Sequence, residues 1–144
     1  MDYKLGIYEY KNLRINEYME YKKIKSFTDL IVWQQAHQLV LSIYQITKNF
    51  PKEERYSLID QLRRAAISIT SNIAEGFSRQ TYKEKCQFYF MAKGSLTELQ
   101  NQLLVARDID YISQETFKQI ANQTMSVQKL LSLLITKTKS ISKK

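Results

Sequence analysis

Apolar residues recur along most of this chain in alternating steps of three and four, the spacing that puts side chains on one stripe of an α-helix. The clearest stripe is Ile59, Leu62, Ala66, Ile69 and Ile73, with Arg63, Arg64, Ser68, Ser71, Asn72 and Glu75 on the other face. Before it, Val32, Ala36, Leu39, Ile43, Ile46 and Phe50 form a second stripe, widened by Trp33, Val40 and Tyr44. Tyr89, Ala92, Leu96, Leu99, Leu103 and Ala106 make a third, and Phe117, Ile120, Thr124, Val127, Leu131 and Leu134 a fourth. The spacing predicts helices from Thr28 or Asp29, either able to cap, to about Asn49; across Gln61 to Gly76; from about Thr81 to Asp108; and from about Gln114 to Lys139.

Breaks between the stripes are short. Proline at 51 pushes Phe50 out of helical geometry, and the turn through Lys52, Glu53, Glu54 and Arg55 returns the next helix beside the first. Gly76 stands where a helix would stop or bend, and Gly94 lies in mid-helix, where glycine costs ~1 kcal/mol relative to alanine. Such a cost is usually offset by a close helix crossing, so Gly94 is expected to pack against the small residues of the second helix. The fold class expected is all-α, an antiparallel up-and-down four-helix bundle over residues 26–139.

Composition agrees. With 144 residues, 44% hydrophobic, and only three glycines and one proline, the chain has material for one core and little turn chemistry for strands. The net charge of +8 points to a polyanionic partner, RNA or DNA or an anionic surface, and a merely soluble basic protein is the bland alternative. Basic and acidic residues nearly balance over 26–112. The last segment instead sets Lys118, Lys129, Lys137, Lys139, Lys143 and Lys144 against Glu115, ending in a cationic tail, 140–144, that attracts phosphate without reading sequence. The first 25 residues are a Tyr-rich basic arm that fits a strand and a ragged helix alike, with Met19 as an alternative start.

No signal-peptide core and no run near the ~20 apolar residues of a membrane span is present, so a cytoplasmic protein without membrane attachment is expected. Cys86 stands alone, excluding an internal disulfide. A four-helix ribonuclease using Arg and His on one helix needs an arginine four to six positions before its histidine; His37, the single histidine, has Ile31, Val32 and Trp33 there. A di-iron bundle needs Glu-x-x-His pairs, and Gln34 occupies the glutamate's place. One Cys and one His build no usual zinc set, and no glycine-rich phosphate loop occurs. No catalytic residue, metal or cofactor is therefore expected. Arg64 with Asp60, and Arg79 with Glu75, sit four apart and can pair within a helix; the functional reading has Arg63, Arg64 and Arg79 facing nucleic acid.

Specific words accompany the stripes: Phe27-Thr-Asp-Leu-Ile-Val-Trp33-Gln-Gln-Ala36, Phe50-Pro-Lys-Glu-Glu54, Gln61-Leu-Arg-Arg-Ala-Ala66, Ser68-Ile69, Asn72-Ile-Ala-Glu-Gly76 and Gly94-Ser-Leu-Thr-Glu98-Leu. Through them, from Phe27 to about Ile112, the chain resembles the four-helix-bundle proteins encoded in intervening sequences of large-subunit ribosomal RNA genes. That family is similar in fold to the accessory protein of diversity-generating retroelements, a basic barrel of five bundles that works with a reverse transcriptase and nucleic acid. The resemblance implies a homo-oligomer, a pentameric ring, more than it implies an activity. Trp33, Tyr44 and Ile67, on stripes wider than an internal seam requires, are the expected subunit contacts. The function expected is a non-enzymatic basic scaffold that binds RNA or DNA, alongside a reverse transcriptase as the resemblance implies, against the alternative of a purely structural or protein-interaction oligomer.

Overall fold

The computed structural model describes residues 24–143, and every regular element among them is helical. A 3-10 turn, Phe27–Asp29, leads into α1, Ile31–Thr47; another, Lys52–Glu54, leads into α2, Leu58–Ser78; α3 spans Tyr82–Asp108 and α4 spans Gln114–Ser142. Residues 1–23 and Lys144 lie outside the described residues, and with them most of the expected arm. Its last residues belong to the body: Ile24 packs on the core, and the Lys25 amide donates to Asp29.

Local chemistry fixes where the helices begin. Ser26, rather than Thr28 or Asp29, caps the entry: its hydroxyl accepts from the Thr28 amide while its own amide donates to Asp29, a reciprocal capping box. That box closes only the 3-10 turn, so α1 starts later than expected, after extended Leu30. Ser57 makes no side-chain cap on α2; Glu54 takes that role, accepting from the Leu58 amide at 3.2 Å and from the Ser57 hydroxyl. Thr81 and Glu84 form a second capping box at α3, and Ser113 caps α4. The close of α3 is a Schellman turn: Tyr111 N–H reaches the Ala106 carbonyl and Asp110 N–H the Arg107 carbonyl, with Asp110 at φ 64° where glycine is commoner.

The expected seams of α2 and α3 are buried throughout. On α1, Ile46 is half-buried and Thr47 fully buried; its hydroxyl donates to the Ile43 carbonyl and accepts from Arg63 Nε at 3.0 Å, so the polar group is satisfied. On α4 the seam passes from Leu131 to Ile135 and Thr138, leaving Leu134 half-buried. A strict seven-residue repeat drifts ~20° per heptad on a straight helix, so from Phe117 to Leu134 the stripe turns by ~50°, enough for Ile135 to replace Leu134 while Thr138 keeps the register. The helix also runs through the boundary expected at 139, so residues 140–142 are helical rather than tail.

Each helix neighbours two others, α1 and α3 both touching α2 and α4. Specific pairs show which ends meet. Thr47 at the end of α1 bonds Arg63 near the start of α2, the Phe50 ring packs tilted against Tyr111 after α3, and Arg107 lies over Phe117 of early α4. At the opposite end, Gly76 of late α2 touches Tyr89 of early α3, and Lys139 of late α4 lies over Phe90.

Two glycines exchange roles against expectation. Gly94 is exposed, and a Cβ there would meet nothing within 4 Å; the crossing expected of it is made by Ser95, whose hydroxyl lies 2.8 Å from that of Ser68. Gly76 does not stop α2, which continues to Ser78, but is buried with its missing Cβ only 2.6 Å from the Tyr89 ring. That ring is itself 2% exposed, and burial, with the neighbouring Cys86 a smaller cause, pushes the Tyr89 hydroxyl up to about 12.

Candidate nucleic-acid interface

The end of the body where α2, α3 and α4 meet collects positive charge. Arg79 follows α2; Lys83 and Lys85 stand on the first turn of α3, with half-buried Lys93 near its middle; Lys137 and Lys139 come from the last turns of α4, and Lys143 is its C-cap. Cations at the end of α4 also suit the negative pole of its dipole. The nearby carboxylates are engaged locally. Glu75 holds Arg79 at 2.6 Å, and Glu84 caps α3 through the Thr81 hydroxyl and amide, hydrogen bonds that hold its carboxyl below the usual range.

The cations here fall into two groups. Arg79 lies 4.5 Å over the Phe88 ring while bound to Glu75, and Lys85 donates to the Phe77 carbonyl above the Phe77 ring, where burial lowers its pKa. These two close the α2–α3 turn. Lys83, Lys93 and Lys143 make no ion pair or hydrogen bond through their ammonium groups among the described residues, and Lys139 Nζ has the Phe90 ring, 4.8 Å away.

The residues singled out from the sequence are divided by the fold. Arg79, Lys137, Lys139 and Lys143 are brought to this end, Lys137 half-buried beside buried Thr138. Arg63, Arg64 and Lys118 are not. Arg63 is half-buried, bonded to Thr47 and 4.5 Å over Tyr44; Arg64 pairs with Asp60 at 3.3 Å; Lys118 is exposed on the first turns of α4, near Glu115. Lys129 is exposed midway along α4, and Lys144 lies outside the described residues. Lys83, Lys93 and Phe90 were missed. Lys83 and Lys85 flank Glu84 in sequence and look neutralised, yet Glu84 turns back to Thr81.

Of the expected subunit contacts, Tyr44 and Ile67 lie on the adjoining outer faces of α1 and α2, bridged by Arg63, which covers Tyr44 and stands one turn before Ile67. Ile67 is 41% exposed and Leu41, on the same side of α1 as Tyr44, 49%. Trp33 is half-buried, stacked on His37 at 4.8 Å with Phe27 against its edge, so that histidine serves an aromatic cluster. Cys86 is buried. Among the described residues no cluster of His, Cys, Asp and Glu could hold a metal ion, and no helix is long and apolar enough to cross a membrane.

The fold is similar to that of a crystallised protein of unknown function from the S23 ribosomal protein family of Bacteroides thetaiotaomicron. The TM-score is 0.69 and the identity 22%, over 74% of this chain and 96% of that one, a likeness of fold. No functionally curated protein matches the chain. Residues 28–133, from the first 3-10 turn into late α4, match the family model of the 23S rRNA-intervening sequence protein, while the lysines at 137, 139 and 143 lie beyond the match. The chain belongs to the 23S rRNA-intervening sequence protein family.

Proposed function

We propose that this protein is a non-enzymatic scaffold that binds RNA or DNA through the basic end of an antiparallel four-helix bundle. The observation that carries the reading is the local charge excess: Lys83, Lys139 and Lys143 stand at one end, with Lys93 further along α3, and among the described residues no carboxylate pairs with them. Phosphate is the biological polyanion such a patch attracts, and it attracts it whatever the sequence. The scaffold assembles as a homo-oligomer through the α1–α2 face bearing Trp33, Leu41, Tyr44 and Ile67. A pentameric ring, as in the retroelement accessory proteins, would repeat the basic end around an axis and multiply its field, suiting work beside a reverse transcriptase.

Mobility shifts of RNA and DNA over several salt concentrations test the binding. Affinity should fall linearly on a log–log plot. Replacing Lys83, Lys93, Lys139 and Lys143 by Gln should flatten the slope by about 0.7–0.9 for each phosphate that is no longer neutralised, and weaken all sequences by the same factor. An unchanged slope would remove the basic end from the reading. The exposed Leu41 and Ile67 favour one alternative, an interaction scaffold without a nucleic-acid role. That alternative stands if light scattering gives an oligomer and no shift occurs at low salt.

A further inference from the structure

We propose that Phe90 is a stacking platform for an unpaired base, with the surrounding lysines holding phosphates of the same strand; this rests on the nucleic-acid reading above. Its neighbour Tyr89 is 2% exposed, whereas Phe90 leaves 47% of its surface open. Lys83 stands seven residues earlier on α3, within ~20° of the same face, and Lys93 one turn later. From α4, Lys139 lies 4.8 Å over the ring and Lys143 follows one turn on, ~6 Å away. An open aromatic face ringed by cations is the arrangement by which proteins hold single strands, the ring taking a base and the cations its phosphates.

Two other rings at this end, Phe77 and Phe88, are different, and Tyr82, 41% exposed on the first turn of α3, lies ~80° round the helix from Phe90. Phe77 and Phe88 are half-buried, and their covering cations are committed elsewhere, Lys85 to the Phe77 carbonyl and Arg79 to Glu75. Among the described residues Lys139 has no second partner, so a base can replace it on Phe90 while the ammonium moves to the adjoining phosphate, exchanging a weak exposed cation–π contact for a stack and an ion pair. A duplex keeps its bases stacked on each other and can use only the lysines.

The test compares the full-length protein with Phe90→Ala on an oligouridylate of about a dozen nucleotides and on an RNA duplex of similar length. Phe90→Ala should weaken the single strand by about 5- to 150-fold, with the salt slope unchanged, and leave the duplex untouched. Phe90→Trp, which keeps a π-face, should bind the single strand at least as tightly as the parent. Circular dichroism and light scattering on both variants confirm that helicity and mass are unaltered. If Phe90→Ala binds the single strand normally, or weakens single strand and duplex alike, the platform is wrong and the lysine reading stands. A changed oligomer mass assigns the ring to a subunit contact and also overturns it. Should the parent bind neither probe, the platform and the nucleic-acid reading fall together.

Discussion

At the end where α1 passes into α2 and α3 into α4, acids and bases alternate: Arg64 pairs with Asp60, Arg107 with Asp108, and the Tyr111 hydroxyl donates to Glu54 at 2.9 Å across the two connections. At the other end, closure comes from a glycine pressed on a tyrosine ring and from two cations laid over phenylalanines, and further lysines have no ion pair among the described residues. Exposed ion pairs contribute little to stability, a median near 0–1 kcal/mol, so neither set of surface charges is what holds the helices together. Among the described residues one end pairs its charges, and the other leaves lysines unpaired that the fold does not need paired.

Gly76→Ala strikes the tight contact of the basic end and should have the largest effect on stability. The added Cβ would stand 2.6 Å from a ring carbon of Tyr89, which is buried and cannot swing into solvent. Overpacking of this kind costs about 1–3 kcal/mol, read as a lower urea midpoint at unchanged m-value. The folded variant should still bind RNA with the parental salt slope, since the outward lysines remain. Parental stability would show that α2 and α3 can separate locally, and that this end is looser than its geometry implies.

Most of the fold is legible in the sequence because burial follows helical period. The stripes on α2 and α3 became core residue by residue. Capping was less legible: Ser26, with Asp29 as its partner three residues on, caps only the 3-10 turn, and α1 itself begins after Leu30 with no side-chain cap. The glycines were legible as exceptions but not in their roles, since a spacing says that a backbone is bare and not which ring approaches it. The site suffered most from counting charge along the chain. Over 26–112 the signs balance, yet folding carries the cations of early α3 to the end of α4, and the acids of the α1–α2 and α3–α4 turns some 40 Å away, the length of a 27-residue helix. Phe90 was not singled out because it lies outside the seam that begins at Tyr89.

The balanced end should respond to pH through the bond between Glu54 and Tyr111. Hydrogen bonds from Ser57, from Tyr111 and from the Leu58 amide hold the Glu54 carboxyl below its usual 4.5, so the native state takes up its proton less readily than the unfolded chain. Its contribution is complete above about 4.5 and is lost as pH falls through the native value. Tyr111 is shifted the other way, first by its bond to Glu54, and its contribution is complete below 10.0 and lost as pH rises through the native value. Tyr111→Phe should lower Tm at neutral pH, flatten the alkaline fall, and reduce the acid fall without abolishing it, because Glu84 at the basic end is depressed by its own cap. A melting series from pH 3 to 11 reads all three. An acid limb unchanged in Tyr111→Phe would mean that Glu54 acts only through α2's cap and does not tie the two connections together.

The smallest effect is expected midway between the ends, at Gly94. It is exposed in the interior of α3, where glycine is disfavoured by ~1 kcal/mol relative to alanine, and apart from its chain neighbours and the local helix backbone no atom of the described residues lies within 4 Å of the position a Cβ would take. Within a single subunit, then, Gly94→Ala removes backbone freedom from the unfolded chain without a clash, and should raise stability by about 0.4–1 kcal/mol. For a domain of this size that is an increase of a few degrees in Tm. Ser95 must keep its contact with Ser68, which the substitution does not touch, so helicity and RNA affinity should hold at their parental values. The informative failure is a variant that folds normally yet drops in oligomer mass by light scattering. That result would show that another subunit approaches the bare backbone at Gly94. The assembly face would then move from α1 and α2 to the α2–α3 side, and Tyr44 and Ile67 would be left as surface.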